Sequence, residues 1–419
     1  MRNRYMSIAI TGMGIISPIG IGQTAFVEGL KTGQTNFSTV ALNHQGRDYN
    51  YPSALVAGFD YKKAIEQLPL PEVIKKQAKR LRNISTGAKL GIYTAMNAWQ
   101  SANLWEADVS RDRIAIVASG SNTQQASLEA VRERYREKLN FLNPTYGYNF
   151  LDTDIVGTLS ELLQIKGEGH NIGAASASGN MALIQGYRLI ESGEYDIVLV
   201  VAPAMELSIY EYQGFTALGA MAVPKQGQSL DSLCSPFDHS HCGFVYGQNA
   251  GTIIMESIAH AENRKAKCQG YMSGYGCSMD SNRNPNPSIE GETRAMQNAL
   301  NKATLSIQQI DYINTHGTAS VIGDKTEVEA ILSIGAKDVK TNATKGLIGH
   351  GITSAGLVEA IASIVQMQEG FLHPTPNLID PIDRELDWIS STALSAEIQT
   401  CMSNSFGFGG INTSIILQK

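Results

Sequence analysis

Residues Asn171–Ile190 (NIGAASASGNMALIQGYRLI) form a turn of small residues that runs directly into a predicted helix. Such a turn sets the side chain at its tip, Ser176, beside the first N–H groups of the helix. These groups are unpaired and carry the positive end of the helix dipole, so they stabilise developing negative charge. The pattern is therefore typical of a nucleophile site. The helix end activates a serine less than a cysteine, because a serine hydroxyl stays protonated unless a base lies beside it. The alternative is that Ser176 is a simple helix cap.

Two histidines downstream lie in glycine-bounded loops rather than in amphipathic patterns. His316 is in NTHGTAS (Asn314–Ser320) and His350 is in TKGLIGH (Thr344–His350). If both rings are neutral and direct N–H groups at one point, they form an electrophilic site for an enolate or carbonyl oxygen. The remaining histidines lack such a setting and are predicted to be surface or core residues: His44, His170, His239, His241, His260 and His373.

Lys345 precedes His350 by five residues and is predicted to pair with Glu327 or Glu359, which would hold the two histidine loops together. A solvated lysine is the alternative. Asn404–Asn412 (NSFGFGGIN) is a glycine-rich turn that lacks the spacing of a phosphate-binding loop. Its aromatic residues Phe406 and Phe408 suit a gate over an apolar channel, and its N–H groups could complete an oxyanion hole.

The elements that must position these residues alternate between strand and helix. Apolar runs without strict alternation predict strands at Ser7–Ile16, Arg113–Ala118 and Ile197–Val201, and helical spacing predicts a helix at Asn83–Ala102. Strands of this kind are covered by helices on both faces, so the chain is predicted to be an α/β protein.

The two halves of the chain repeat one pattern. Gly351–Val365 (GITSAGLVEAIASIV) is, like the segment around Ser176, a small-residue loop that enters a helix with a face of Ala, Gly and Ser. The repeat predicts a duplicated core of two units, residues 1–262 and 263–419. Cys277–Glu292 is rich in Asn, Pro and Ser and is predicted to be a loop.

Composition excludes several other classes of protein. The net charge of −6 argues against nonspecific nucleic-acid binding, and the absence of long apolar runs argues against a membrane span. The five cysteines are odd in number and irregularly spaced, which predicts neither disulfides nor a metal site and favours a reducing cytoplasm. Hydrophobic residues make up 43% of the chain, enough for a large buried core.

Taken together, these motifs resemble the β-ketoacyl synthases, condensing enzymes of the thiolase fold. ITGMGIISPIG resembles the opening strand of the family, SPFDHSHCGFVYG (Ser235–Gly247) its PFD…GFV block, and NSFGFGGIN its closing motif. The resemblance covers nearly the whole chain. It implies a thiolase-like duplicated αβαβα five-layer sandwich and a homodimer.

The resemblance also implies roles for individual residues. Ser176 stands where the family has its acylated cysteine, His316 and His350 match the two catalytic histidines, and Lys345 matches the structural lysine. Thr318 and Ser320 match hydroxyls that contact phosphopantetheine, Phe408 matches the gating phenylalanine, and Phe244 is assigned to the carboxylate pocket. Ala174, Gly247–Gly251 and Pro203–Ala204 also depart from the family pattern, which favours a natural divergent branch over a single engineered Cys-to-Ser change.

A ketosynthase without its thiol can still decarboxylate, because loss of CO₂ needs only an enclosed malonyl carboxylate and donors for the enolate oxygen. The resemblance therefore implies a malonyl-acyl-carrier-protein decarboxylase of polyketide β-branching, acting before a hydroxymethylglutaryl-synthase-like enzyme, with no cofactor or metal of its own. The alternatives are a condensing enzyme or acyltransferase that uses Ser176, and a non-catalytic partner subunit like a chain-length factor.

The acidic carrier protein needs a positive docking surface on this acidic chain. Ile74–Asn83 (IKKQAKRLRN) supplies a cluster of cations at the place of the family's docking segment, and a solvated helix face is the alternative. The predicted docking residues are Lys75, Lys76, Lys79 and Arg80, with Arg82 beside them.

Overall fold

A computed structural model describes residues 7–419 of the chain. The first six residues of the predicted N-terminal unit lie outside the described residues. The strands of the first half are β1 (Ile8–Ser17), β2 (Gly20–Ile21), β3 (Phe37–His44), β4 (Arg47–Ala54), β5 (Ile114–Ser119), β6 (Gly169–Ile172), β7 (Ile197–Ala202), β8 (Tyr246–Gly247) and β9 (Ala250–Ser257). Those of the second half are β10 (Gly270–Met279), β11 (Tyr312–Asn314), β12 (Lys340–Asn342), β13 (Phe371–Leu372), β14 (Asp387–Trp388), β15 (Leu394–Ser395), β16 (Thr400–Gly407) and β17 (Ile411–Gln418).

The helices lie between these strands along the chain, singly or in groups of up to three consecutive helices. They are α1 (Gln23–Thr32), α2 (Tyr61–Gln67), α3 (Glu72–Arg80), α4 (Thr86–Ser101), α5 (Gln125–Tyr135), α6 (Tyr146–Asn149), α7 (Thr153–Leu163), α8 (Ser178–Glu191), α9 (Ile209–Ala217), α10 (Ile258–Asn263), α11 (Ile289–Ala303), α12 (Val321–Ser333), α13 (Lys345–Ile348) and α14 (Ala355–Glu369). None of them, within residues 7–419, is long and apolar enough to cross a membrane.

Two sheets of the same topology form the core. The first has the order β6-β5-β7-β9-β1 and the second the order β12-β11-β16-β17-β10, with β14 added beyond β12. In each sheet the first three strands are parallel and the last two join antiparallel. A short antiparallel pairing of Ile8–Ile10 with residues 270–272 joins the sheets. The duplication expected from the sequence is thus a repeat of both strand order and strand direction.

Five layers result, because each sheet has apolar side chains on both faces. Helices α8 and α14 lie between the sheets in one core, while α4 and α7 cover the first sheet and α11 and α12 the second in two further cores. This is the predicted thiolase-like αβαβα sandwich. The exact point of division at residue 262 stays a prediction; it falls between β9 and β10.

The two central helices are packed backbone to backbone. A Cβ on Gly179 of α8 would lie 2.3 Å from the Leu357 nitrogen, and one on Gly356 of α14 would lie 2.8 Å from the Asn180 nitrogen. The small-residue face that the sequence shows in both segments is therefore required for this contact.

One prediction of local structure is wrong at its ends. Of the loop predicted at Cys277–Glu292, the first residues belong to β10 and the last begin α11. Cys277 pairs with Thr413 of β17, and the Ser288 side chain caps α11 by accepting the Gly291 N–H at 3.2 Å. A serine in a polar loop signals a turn and a helix cap equally, so composition alone could not place this boundary.

Candidate active site

A cavity of about 410 Å³ gathers residues from both halves of the chain. Ser176 reaches it from the first half, and His316 and His350 reach it from the second. The other predicted substrate and gate residues also line it: Phe244, Thr318, Ser320, Phe406 and Phe408. Lys345 lies behind the histidines rather than on the cavity wall.

Ser176 is at the tip of a strained turn that leads into α8. The preceding Ala175 has a φ of +48°, and the 3₁₀ turn Ala175–Ala177 follows. Ser178 holds this turn, because its hydroxyl accepts the Ala174 N–H at 2.8 Å and donates to the Ala175 carbonyl at 2.7 Å. The left-handed conformation at a non-glycine residue is the kind of strain that functional turns retain.

His350 has a defined ring tautomer. Its Nδ1 accepts the backbone N–H of Ile352 at 3.3 Å, so the ring proton of the neutral imidazole is on Nε2. That Nε2 lies 2.9 Å from Ser176 Oγ and donates to it. The histidine is consequently arranged as a hydrogen-bond donor toward the cavity and not as a base for the serine.

His316 is fixed in the same way by Lys345. The Lys345 ammonium lies 3.4 Å from His316 Nδ1 and also donates to the His316 carbonyl and to Glu359. Its three protons thus have three acceptors, and His316 is left with its own proton on Nε2. Of the two predicted partners, Lys345 pairs with Glu359, and at 1% exposure it is not a solvated lysine.

Glu327, the other candidate partner, holds the backbone of the histidine loop instead. Its two carboxyl oxygens accept the N–H groups of His316 at 2.7 Å and of Gly317 at 2.8 Å. Burial raises the pKa of Glu327 to about 7 against the opposing effect of these N–H groups. Burial likewise raises the pKa of Glu359 to about 7, opposed by Lys345.

Both imidazoles are neutral near physiological pH. Burial, reinforced by the charge of Lys345, lowers the pKa of His316 and of His350 well below the ordinary 6.5. The two ring centroids are 5.6 Å apart and the ring planes are nearly perpendicular, at 84°. The site therefore presents two neutral N–H donors to one small region, which suits a developing oxyanion.

The lowered pKa values of His316 and His350 predict that kcat stays constant as the pH falls through the ordinary histidine range. Activity that needs neutral rings is lost only when the pH falls through their depressed folded-state pKa values, so kcat should not decline around pH 6.5. Steady-state kcat measured from pH 5 to 8 checks this. A decline of kcat centred near pH 6.5 in the wild type that is removed or shifted in His316→Ala or His350→Ala would contradict the assignment.

Aromatic side chains make the cavity walls apolar. Phe244 stands edge-on to His350 at 5.2 Å, and Phe406 stands edge-on to His316 at 5.7 Å. Phe408 is 39% exposed and approaches Phe215 at 6.5 Å, at the start of a turn whose Gly409 and Gly410 have positive φ. This places Phe408 at the boundary between cavity and solvent, as a gate requires.

The predicted pantetheine contacts, Thr318 and Ser320, line the same cavity. Ser320 is also the N-cap of α12, where its hydroxyl accepts the Gly323 N–H at 3.2 Å. The predicted docking cations lie elsewhere, on α3, and do not line the cavity. Lys75 pairs with Glu72 and Lys79 with Glu66, whereas Lys76, Arg80 and Arg82 are exposed and have no ion pair among residues 7–419.

Three residues of the site, Ile352, Asp324 and Glu292, were not predicted from the sequence. Ile352, a β-branched residue with a φ of +55°, orients His350, and no local signal marks it. Asp324 precedes Glu327 by three residues and so lies on the same helix face just after the His316 loop, a signal that could have been read. Glu292 also lines the cavity, from the first turn of α11.

Comparison with known proteins identifies the fold and the family. The fold is that of a thiolase-like ketosynthase. The profile "Beta-ketoacyl synthase, N-terminal domain" matches residues 6–261, and "Beta-ketoacyl synthase, C-terminal domain" matches residues 269–379. The chain belongs to the β-ketoacyl synthase family.

Individual relatives align over almost the full chain. The chain is 36% identical to the polyketide biosynthesis malonyl-ACP decarboxylase PksF of Bacillus subtilis (strain 168), covering 98% of this chain and 96% of that protein. It is 28% identical to a 3-oxoacyl-[acyl-carrier-protein] synthase 2 of Rhizobium meliloti (strain 1021), over 98% of both. Among solved structures, the ishigamide ketosynthase/chain length factor aligns over 99% of both chains with a TM-score of 0.86 at 26% identity.

Proposed function

We propose that the protein decarboxylates malonyl-acyl carrier protein to acetyl-acyl carrier protein in polyketide biosynthesis. The observation that carries this proposal is the pair of neutral Nε2–H donors, on His316 and His350, beside a serine hydroxyl that accepts a hydrogen bond from one of them. The similarity to a malonyl-ACP decarboxylase supports the same activity.

In the proposed reaction the thioester oxygen of the malonyl group lies between the two Nε2–H groups. The bond between the methylene carbon and the carboxylate breaks, and CO₂ leaves. The electron pair of that bond forms an enolate, whose oxygen the two N–H donors stabilise. Phe244 supplies an apolar wall that solvates the carboxylate poorly and so favours its loss. Protonation of the enolate at carbon gives the acetyl thioester, with a net uptake of one proton.

The arrangement around Ser176 argues against its use as a nucleophile. A serine nucleophile needs a base within hydrogen-bonding reach. The nearby ring nitrogen of His350, Nε2, has a proton and cannot act as that base, and the lone pair on Nδ1 accepts the Ile352 N–H. An acyltransferase or condensing role for Ser176 requires the other tautomer. A non-catalytic role is disfavoured because both histidines, their lysine and their two glutamates are present and engaged.

Mass spectrometry of the carrier protein tests the proposal. Purified protein mixed with malonyl carrier protein should convert it to the acetyl form, with an equal amount of released CO₂. A stable acyl adduct on the protein would instead identify Ser176 as a nucleophile. An unchanged malonyl carrier protein would remove the decarboxylase proposal.

We propose α3 as the docking surface for the carrier protein, phosphopantetheine being carried by that partner and not by this chain. Lys76 and Arg80 are the better probes because Lys75 and Lys79 are already paired with glutamates. Lys76→Glu/Arg80→Glu should raise KM for the carrier substrate about tenfold at low salt, with a smaller effect at high salt and little change in kcat. Lys265→Glu/Lys267→Glu, which reverses two exposed cations outside α3, is the matched control. Equal KM values for both double variants would exclude α3.

We also propose a homodimer that forms through the first half. β6 is the terminal strand of the first sheet, and its outer edge pairs with no other strand of residues 7–419. The segment before α7 exposes several large apolar side chains, a pattern of an interface rather than of a free surface: Leu139, Phe141, Tyr148, Phe150 and Leu151. We propose further that the decarboxylation serves polyketide β-branching and precedes a hydroxymethylglutaryl-synthase-like enzyme. This part of the proposed function rests on the family resemblance.

A further inference from the structure

The proposed decarboxylation leaves one chemical requirement without an assigned residue. An enolate becomes an acetyl group only when a proton is delivered to its carbon, and a condensing enzyme has no such need. His316 and His350 are unsuitable sources, because a neutral imidazole that releases its Nε2 proton no longer stabilises the enolate oxygen. The Ser176 hydroxyl is a very weak acid.

Glu292 is a carboxyl group on the cavity wall that accepts no hydrogen bond among residues 7–419. It is 1% exposed, it lines the cavity that contains Ser176 and both histidines, and its Oε2 has no hydrogen-bond partner among the described residues. A buried polar atom without a partner costs about 1–3 kcal/mol, so it needs an explanation.

The neighbouring carboxyl groups differ from Glu292 because each already accepts at least one hydrogen bond. Glu327 accepts two N–H groups of the His316 loop, and Asp324 accepts the Phe237 N–H at 2.7 Å and faces His241 at 3.2 Å. Asp280 accepts the Asn412 side chain at 2.6 Å. These three groups act as acceptors and are unsuited to release a proton.

Burial and the same neighbours favour the acid form of Glu292. Burial raises the pKa of Glu292 well above its ordinary value, and the negative charges of Glu327, Asp280 and Asp324 raise it further. A carboxylic acid that is protonated at neutral pH is a competent general acid.

We propose that Glu292 supplies the proton that converts the enolate into acetyl thioester, an inference that rests on the proposed function. The O–H bond of the Glu292 carboxylic acid breaks as the enolate π electrons form the new C–H bond at the former methylene carbon. The resulting carboxylate regains a proton from water before the next turnover. Atoms and charge therefore balance without any further reactant.

The test compares Glu292→Gln with Glu290→Gln, which changes an exposed carboxyl two residues earlier on the same helix. Two rates are measured for full-length protein with malonyl carrier protein: formation of acetyl carrier protein, and exchange of ¹³CO₂ into the malonyl carboxyl group. In Glu292→Gln the acetyl rate should fall about 10²-fold, while the ratio of exchange to acetyl formation should rise at least about tenfold, because an unprotonated enolate recaptures CO₂. Glu290→Gln should match the wild type in both.

The contrary outcomes are distinct. A merely structural role lowers exchange and acetyl formation together, so an unchanged ratio overturns the proposal, as does a wild-type acetyl rate in Glu292→Gln. If Glu292→Gln does not fold, Glu292→Asp replaces it, because aspartate keeps the carboxylic acid but places it farther from the enolate carbon. The ratio of exchange to acetyl formation should then rise above that of the wild type. A wild-type ratio at reduced turnover overturns the proposal. Failure of the wild type itself to form acetyl carrier protein would refute the decarboxylase function instead.

Discussion

His316→Ala and His350→Ala are each expected to lower kcat for decarboxylation by about 10²- to 10³-fold, the usual cost of removing one transition-state donor. Each ring donates an Nε2–H toward the same region, and each is fixed by a separate partner, Lys345 or Ile352. Loss of one ring leaves the other in place, so the effect should fall mainly on kcat and much less on KM. Single-turnover conversion of malonyl carrier protein measures it.

Ser176→Ala is the informative comparison for the histidine variants. It removes one hydrogen-bond acceptor of His350, an interaction worth about 1 kcal/mol. The kcat for decarboxylation should therefore fall only roughly fivefold. His239→Ala, which changes an exposed histidine outside the cavity, should have no effect. If Ser176→Ala is as inactive as the histidine variants, the serine takes part in the chemistry and the nucleophile alternative returns.

Lys345→Met is expected to destabilise the protein by about 3–5 kcal/mol, because it leaves the buried Glu359 without its cation. The loss should depend on pH. Without Lys345 the folded-state pKa of Glu359, already about 7, rises further above its unfolded value. Stability is therefore retained at low pH and falls as the pH rises toward that folded pKa, so the deficit should be larger at pH 8 than at pH 6. Urea unfolding at the two pH values measures it.

A double variant separates the structural effect of Lys345 from its effect on His316. Lys345→Met/Glu359→Gln removes both buried charges and should recover most of the lost stability. Activity should stay low, because the proton of His316 is no longer directed to Nε2 by a donor at Nδ1. A single Lys345→Met variant as stable as the wild type at pH 8 would contradict the buried ion pair.

The strands and helices of the core were predictable because their signals are local. The apolar run of β1 and the small-residue faces of α8 and α14 encode burial on two sides and close helix contact within a few residues. The two histidines were also recognisable, since each lies next to a glycine in a loop. Lys345 could be assigned to a carboxylate, but choosing Glu359 over Glu327 needed the packing of α14 against the histidine loop.

Other parts of the site depend on contacts that no short segment encodes. Ile352 looks like an ordinary apolar residue, and its function arises from a backbone conformation that only the surrounding fold enforces. Glu292 occurs among other polar residues at a helix start, and its burial follows from β10, α12 and β16 closing around α11. The paired state of Lys75 and Lys79 likewise depends on side-chain rotamers and on the neighbouring α2.

The contact between α8 and α14 has a consequence for how such a protein changes its chemistry. With Gly179 and Gly356 in mutual backbone contact, the amino ends of both helices are held at the cavity, one from each repeat. The electrostatic preference for an anion there is thus a property of main-chain dipoles and survives replacement of the side chain at the tip. Under the proposed function, a lineage can exchange sulfur for oxygen at that tip, lose C–C bond formation and keep decarboxylation on an unchanged scaffold.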